Sequence, residues 1–128
     1  MKYSILLFFF ISISVFSQSD FERAVTYYNS QQFEEAKSIF EKRAKQNPYD
    51  LKSIEYLGDI QSHYKNWDKA ISYYEKLIKS NSIQANYYYK YGGAMGMLAK
   101  ESNKFKALMM MDEVKSSFEK AIQLNPNH

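Results

Sequence analysis

Apolar residues recur at intervals of three and four along most of the chain after residue 19. This spacing places them on one side of an α-helix. The clearest stripe consists of Trp67, Ala70, Ile71, Tyr74, Leu77 and Ile78. Pro48 and Pro126 each follow such a stripe, at a position where a helix ends without losing a hydrogen bond. The pattern predicts six helices, at about 20–31, 33–46, 51–64, 67–80, 84–100 and 103–124.

Short connections join the predicted helices into hairpins. Lys65-Asn66 leaves room only for a tight turn, so the helices on either side run antiparallel. Gly58 and Ala70 are small residues on the facing stripes, and they allow the two helix backbones to approach closely. Four Gly and two Pro in 128 residues are too few for the frequent turns of an all-β chain. The predicted fold class is therefore all-α.

The helical pattern repeats with a period of 34 residues. Phe33-Glu-Glu-Ala36 aligns in this way with Trp67-Asp-Lys-Ala70, Phe40 with Tyr74, and Leu57-Gly58 with Tyr91-Gly92. A last copy runs from Phe118 to Pro126, about ten residues later than the period requires. Several matches at one offset indicate stacked copies of one helical hairpin, in which neighbours bury what a single hairpin cannot bury alone.

These repeats resemble the tetratricopeptide repeat family. The middle unit, residues 51–84, carries the family positions at Ile54, Leu57, Gly58, Trp67, Ala70, Tyr74 and Leu77. The first unit, 17–50, carries Ala24, Tyr27, Phe33, Ala36, Phe40 and Pro48, and the third unit, 85–128, carries Tyr88, Tyr91 and Gly92. The resemblance implies an α-solenoid of about three antiparallel helix hairpins, the last one elongated, that serves as a non-catalytic protein-interaction scaffold.

The first nineteen residues have the pattern of a secretory signal peptide. Lys2 precedes an apolar run over residues 3–16, which is shorter than the roughly 20 residues of a transmembrane helix. Small residues favour cleavage before Gln18 or, in a second register, before Asp20. A retained signal anchor and a buried N-terminal helix are the alternatives. We expect a protein that is exported to the periplasm or secreted, with residues 20–128 forming the tetratricopeptide repeat domain.

Composition excludes several classes of function. The chain has no Cys and two His, so thiol catalysis, lipidation at cysteine and disulfides are excluded, and acid–base catalysis has few candidates. A net charge of +3 is too small to indicate nucleic-acid binding. No glycine-rich phosphate loop, nucleophile elbow or His-Glu metal-binding helix occurs in the sequence. The sequence therefore predicts neither an enzyme nor a cofactor.

One constellation leaves a metal-dependent enzyme open as a remote alternative. Glu55, Asp59 and His63 follow one another at intervals of four residues, which places them on one face of a helix. Two carboxylates and an imidazole could bind a divalent cation, although a closed site needs a further group from another element. The favoured interpretation is the polar lining of a binding groove.

The family resemblance implies that this face of the repeats lines a concave groove. By family position, the groove residues are Phe21, Val25, Tyr28, Lys52, Glu55, Asp59, Ser62, His63, Asn86, Tyr89, Lys90 and Met97, with Gly93 among them. Family members that bind chaperone C-termini hold the carboxylate with Lys and Asn, whereas Phe21 and Val25 stand at those positions here and only Lys90 matches. We therefore expect a peptide segment or partner helix without a clamped carboxylate. Charge changes at Glu55 or Asp59 should weaken binding and leave stability unchanged.

The last unit holds an insertion within residues 95–111, where five of the six Met residues lie. The favoured interpretation is core packing, and a partner groove is the alternative, since Met adapts to varied surfaces.

The final helix carries more apolar residues than its hairpin partner is expected to cover, namely Phe105, Leu108, Met111, Phe118 and Ile122. Either the chain belongs to a longer array, or a partner or second copy covers this end, most simply as a homodimer through residues 95–124. The corresponding alternative function is a structural subunit that docks end-on or self-associates in an envelope assembly.

Overall fold

The computed structural model describes residues 20–127, and its regular structure in that span is entirely helical. The six helices are α1 (Asp20–Asn29), α2 (Phe33–Gln46), α3 (Leu51–His63), α4 (Trp67–Ser80), α5 (Ala85–Glu101) and α6 (Lys104–Leu124). All six predicted helices are confirmed, and their ends agree to within two residues. None of these helices is long and apolar enough to cross a membrane. The predicted signal peptide, residues 1–19, lies outside the described residues.

The helices form an α-solenoid of three hairpins, α1–α2, α3–α4 and α5–α6. Each helix packs against the next one in chain order. Side chains also join α1 to α3, through Tyr28 and Tyr56, and α3 to α5, through Asp59 and Lys90. The odd-numbered helices therefore lie side by side on what we call the inner face of the array. The even-numbered helices form the outer face.

The core consists of two clusters, and each one joins two neighbouring hairpins. The first contains Ala24, Ala36, Phe40, Leu57 and Ile60, from α1, α2 and α3. The second contains Ile54, Ala70, Ile71, Tyr74, Leu77, Tyr91 and Ala94, from α3, α4 and α5. Each hairpin therefore depends on its neighbour for a closed core, as the repeat pattern predicts.

The first two hairpins share one turn geometry at equivalent positions. Gln31 and Lys65 adopt the left-handed conformation, with φ of 61° and 60°. The N–H of the following residue bonds back to a carbonyl five residues earlier, at 2.8 Å for Gln32 and 2.9 Å for Asn66. This is a Schellman ending, in which Gly is the usual residue because a side chain is strained there. The repeated turn is built here without glycine.

The last hairpin departs from this pattern. Ser102 and Asn103 are extended, and Asn103 Oδ1 caps α6 by accepting a hydrogen bond from the Lys106 N–H at 2.8 Å. α5 has 17 residues and α6 has 21, against 13 in α3 and 14 in α4. The inserted residues lengthen both helices, so the predicted elongation of the last hairpin is confirmed.

The interpretation of the inserted methionines as core is wrong for the start of α6. Met109 and Met111 are both exposed. Apolar residues occur on several sides of this part of α6, whereas its main neighbour, α5, covers one side only. The expectation that much of α6 stays uncovered is confirmed, because Phe105, Leu108 and Ile122 are exposed as well.

The close crossing of α3 and α4 depends on Gly58. A Cβ atom at this position would lie 2.5 Å from Cε1 of Tyr74. The Tyr74 ring is buried, and its hydroxyl bonds to Asp59 and Ser62, so the ring cannot move aside without losing these contacts. The predicted close approach at Gly58 is confirmed by this geometry.

We expect Gly58→Ala to lower the free energy of unfolding by about 1–3 kcal/mol, because the added methyl group overpacks the buried Tyr74 ring. Gly93→Ala is the matched control, since nothing lies within 4 Å of a Cβ placed at Gly93. Removing a helical glycine there should stabilise the chain by about 0.5–1 kcal/mol. Urea unfolding followed by circular dichroism measures both changes. Equal effects at the two sites would contradict the close crossing.

Candidate functional site

The inner face carries a cluster of ion pairs where α3 and α5 lie side by side. Lys90 Nζ lies 2.7 Å from Asp59 Oδ2 and 3.0 Å from Glu55 Oε2. Asn86 Nδ2 donates a further hydrogen bond to Glu55 Oε2 at 3.1 Å. Glu55 is buried, and Asp59 and Lys90 are half-buried. The fold brings these four predicted groove residues together.

Tyr74 reaches the same cluster from α4. Its hydroxyl donates a hydrogen bond to Asp59 Oδ1 at 2.7 Å and lies 3.0 Å from Ser62 Oγ. Each oxygen of Asp59 therefore has a partner, Tyr74 or Lys90. From the sequence, Tyr74 is only a core residue. The hydroxyl group of Tyr74 is the signal that was missed, because a buried Tyr needs a polar partner. The equivalent residue of the first repeat, Phe40, has no hydroxyl group.

Burial and hydrogen bonding shift the ionisation of this cluster. Burial raises the pKa of Tyr74 above its ordinary value, and the negative charge of Asp59 raises it further. Burial lowers the pKa of Lys90, but the hydrogen bonds and charges of Asp59 and Glu55 outweigh this effect, so the pKa is raised overall. At neutral pH, Lys90 is therefore charged and Tyr74 is neutral.

The charges of the cluster are largely satisfied by its own members. Glu55 and Asp59 both face the Lys90 ammonium, and the exposed Lys52 adds a second cation 3.6 Å from Glu55. A charge change at either carboxylate would leave the half-buried Lys90 with one partner fewer, which destabilises a fold. We therefore expect charge changes at Glu55 or Asp59 to lower stability as well as to weaken binding, which differs from the expectation from the sequence.

The three residues considered as metal ligands do not converge. The Lys90 ammonium already contacts both Glu55 and Asp59, so a metal ion bound by them would have to displace it. His63 Nε2 instead lies 3.2 Å from the Tyr28 hydroxyl. Across residues 20–127, no group of three His, Cys, Asp or Glu side chains is arranged to hold a metal ion. Glu55, Asp59 and His63 therefore do not form a metal-binding site together.

The first-unit end of the inner face is aromatic. The Tyr28 ring packs edge-on against Tyr56, with ring centres 5.0 Å apart, and against His63 at 5.7 Å. Phe21 and Val25, which the family position assigned to the groove, pack against the first core cluster. Of the predicted first-unit residues, Tyr28 is the one that lines cavities on the inner face.

The third-unit end of the inner face has free space. Gly93, one helical turn from Lys90, has no atom within 4 Å of the position that a Cβ would occupy. Tyr89 is exposed, and its ring centre lies 6.0 Å from that of Phe118. Met97 is half-buried. A ligand could therefore approach the α5 backbone closely at Gly93.

Two shallow cavities meet above the ion-pair cluster. One, of about 340 Å³, is lined by Tyr28, Asp59, Ser62, His63 and Lys90. The other, of about 310 Å³, is lined by Tyr28, Lys52, Glu55, Tyr56, Asp59 and Lys90. Tyr28, Asp59 and Lys90 belong to both cavities and form a common floor between α1, α3 and α5. We call this floor, together with the free space at Gly93, the inner groove.

A separate cavity of about 430 Å³ lies on the outer face, between α4 and α6. Tyr91 forms part of its lining, and the Tyr91 hydroxyl donates a hydrogen bond to Glu113 Oε1 at 3.0 Å. Burial raises the pKa of Tyr91, and the hydrogen bond to Glu113 raises it further. None of the predicted groove residues lines this cavity, so it is not part of the inner groove.

The fold and the repeat spacing agree with one family. The tetratricopeptide repeat family model matches residues 53–82, which hold most of α3 and all of α4. This match identifies residues 53–82 as a tetratricopeptide repeat, and the similar hairpins on either side support a tetratricopeptide repeat protein. No curated protein matches the sequence.

Solved structures of tetratricopeptide repeat proteins share this fold at low sequence identity. TTC0263, a thermophilic protein of this type from Thermus thermophilus, is 19% identical, with a TM-score of 0.76 over 87% of the present chain and 58% of its own. The first repeat domain of Spaghetti (RPAP3), bound to an HSP90 peptide, is 20% identical, with a TM-score of 0.73 over 87% and 80% of the two chains. The Arabidopsis OM64 domain is 16% identical, with a TM-score of 0.70 over 88% and 84%. The present chain thus spans little more than half of the Thermus protein, and likeness at these identities shows the fold alone.

We expect stability to fall as the pH rises above about 10, because Tyr74 keeps its proton in the folded chain and releases it in the unfolded chain. The sign follows from the raised pKa of Tyr74. The unfolded chain binds fewer protons in this range, so higher pH favours unfolding. Tyr74→Phe should make the slope of the free energy of unfolding against pH shallower by up to about 1.4 kcal/mol per pH unit.

Urea unfolding between about pH 9 and 11 measures this slope. Tyr49→Phe is the matched control, because Tyr49 is exposed and the substitution removes the same hydroxyl group. If Tyr74→Phe and Tyr49→Phe change the slope equally, burial at the α3–α4 crossing does not protect the Tyr74 proton.

Proposed function

We propose that the chain is a non-catalytic protein-interaction scaffold that binds a peptide segment or partner helix in the inner groove. The observation that carries this proposal is the groove itself, with a floor of paired charges between α1, α3 and α5 and free space above Gly93. The repeat domain of Spaghetti holds an HSP90 peptide, which supports the same use of the fold here.

The chemistry of the floor favours one kind of ligand. Lys90 is engaged by Glu55 and Asp59, so its ammonium is not free to hold a C-terminal carboxylate. Tyr28 and Tyr89 instead offer rigid amphipathic contact surface on either side of these charges. The proposed ligand is therefore an internal segment of a protein, held by aromatic packing and neutral hydrogen bonds.

Filling the groove tests this proposal. Gly93→Phe places a large side chain in free space, so it should block the groove and leave the fold intact. Ser72→Phe, at an exposed position of α4, is the matched control on the outer face. Peptides selected from a display library on the wild-type chain should bind Gly93→Phe at least about tenfold more weakly, as for the loss of a central contact. They should bind Ser72→Phe with unchanged affinity, measured by fluorescence anisotropy.

Two outcomes would count against the groove proposal. Thermal unfolding first has to establish that both variants fold as the wild type does. Equal peptide affinity for the wild type and Gly93→Phe would then place the binding surface elsewhere. Selection of peptides that all require a free C-terminal carboxylate would contradict the argument from Lys90.

A second candidate function is end-on docking as a structural subunit, and the surface of α6 favours it. In the repeat pattern, Met111, Lys115 and Ile122 of α6 correspond to Trp67, Ile71 and Ile78 of α4. In α4 this side packs against α5, and Ile71 is only 8% exposed. In α6, Met111 is 53% exposed and Ile122 56% exposed. We call Met111, Lys115 and Ile122 the end face.

The proposed occupant of the end face is a second copy of the chain, related by two-fold symmetry. We expect the mass measured by light scattering to rise with protein concentration toward that of a dimer. Met111→Glu combined with Ile122→Glu should hold the chain at the monomer mass, because unpaired charges oppose burial of the face. Ser72→Glu combined with Lys79→Glu, at exposed positions of α4, is the control. A wild-type monomer at every concentration would exclude the dimer.

Export is a further part of the proposal. Lys2 and the apolar run over residues 3–16 support a signal peptide that is removed during secretion, which leaves the chain in the periplasm or outside the cell. N-terminal sequencing of protein from a periplasmic fraction should begin at Gln18 or Asp20. Protein recovered from the cytoplasm with an intact Met1 would contradict this localisation.

A further inference from the structure

The last hairpin extends beyond the other two at its turn. α5 begins 34 residues after α3, as the repeat requires. The sequence pattern found at the end of α4 recurs at the end of α6. The additional residues therefore lie in the last turn of α5 and the first two turns of α6. We call residues 100–109 the hairpin tip.

The hairpin tip exposes three large apolar side chains within a span of five residues. Phe105 is 76% exposed, Leu108 is 64% exposed and Met109 is 72% exposed. Single exposed apolar residues are ordinary on a protein surface, but a contiguous group marks a place that contacts something apolar. None of the three belongs to the end face or to the inner groove.

The hairpin tip is also basic. Lys100, Lys104 and Lys106 are exposed, and none of them forms an ion pair with another residue between 20 and 127. Glu101, the acidic residue of the tip, accepts a hydrogen bond from the Trp67 indole N–H at 3.0 Å, which draws it toward the start of α4. The N-terminus of α6 adds the positive end of a helix dipole. The exposed apolar group is therefore accompanied by positive charge that the chain does not neutralise.

We propose that the hairpin tip docks onto the surface of an anionic lipid bilayer. The apolar side chains enter the boundary between headgroups and acyl chains, while the lysines remain at the level of the lipid phosphates. A bilayer supplies both an apolar layer and negative charge, which are the two complements that this surface needs. A second copy fits less well, because a two-fold contact at the tip would bring the lysines of both copies together. The proposal goes beyond the scaffold function and does not depend on it.

Binding to lipid vesicles tests the charged part of the proposal. Vesicles of phosphatidylcholine with about one third phosphatidylglycerol are compared with pure phosphatidylcholine, and the chain should sediment preferentially with the anionic vesicles. Each lysine contributes about fivefold to such partitioning, so Lys104→Glu with Lys106→Glu should lower binding at least about tenfold. Lys42→Glu with Lys45→Glu changes the net charge equally on exposed sites of α2 and should lower binding much less. The full chain is used, and residues 1–19 are the same in all variants, so differences between variants report the tip.

A second pair of substitutions tests the apolar part. Phe105→Ser with Met109→Ser should also lower binding to anionic vesicles at least about tenfold, since two large side chains no longer enter the bilayer. Circular dichroism checks that these surface variants fold. Gly93→Phe should leave vesicle binding unchanged, so failure of the tip proposal and failure of the groove proposal are distinguishable.

Three outcomes would overturn the bilayer proposal. The first is equal binding to the two vesicle types, and the second is equal loss of binding for the α2 and tip lysine variants. The third is a change of mass without lipid, caused by Phe105→Ser with Met109→Ser, which would assign the tip to a second copy of the chain.

Discussion

The contact between the Tyr74 ring and the backbone at Gly58 is the constraint on which the inner groove depends. Because α3 has no side chain at Gly58, the ring of Tyr74 lies against α3 and its hydroxyl reaches Asp59. Asp59 is thereby held with its second oxygen toward Lys90. A single glycine in the core thus sets the position of a charge at the surface, and core packing and site geometry cannot be changed separately at this crossing.

The same cluster adds an ionic component to the stacking of hairpins. Glu55 and Asp59 lie one helical turn apart, where two like charges repel each other. Lys90 comes from the next hairpin and contacts both carboxylates, so the repulsion within α3 is relieved only when the third hairpin is in place. Neighbouring repeats therefore hold each other through charge as well as through the shared apolar clusters.

Periodicity predicted most of the fold, because it reports which side of each helix faces the core. The stripe from Trp67 to Ile78 and the small residue at Gly58 sufficed for the middle hairpin. Periodicity does not report how far each helix is rotated toward its neighbours. Family position does not report this rotation either: it assigns Phe21 and Val25 to the groove, and both pack against the first core cluster, as Tyr28 does. The partners of the Tyr74 hydroxyl depend on the α3–α4 crossing and were not predicted.

Other features could not be predicted from the sequence because they depend on the register between hairpins. Contact of Lys90 with Glu55 and Asp59 depends on how the third hairpin stacks on the second, which no single stripe shows. The inserted residues of α6 have no counterpart in the first two repeats. No equivalent position therefore indicates whether other residues bury them. Met109 is one of these residues, whereas Met111 aligns with Trp67. Both are predicted as core because methionines on a helical stripe are usually buried, and both are exposed.

The insertion lies where the length of the array can change without altering how the hairpins stack. Additional residues between hairpins would rotate the third unit and carry Lys90 away from Asp59. At the α5–α6 turn, they lengthen two antiparallel helices without disturbing that register, and each added residue per helix moves the turn about 1.5 Å further from the stack. The last hairpin is therefore a spacer of selectable length, and the number of inserted residues sets the distance between the groove and whatever the far end of that hairpin touches.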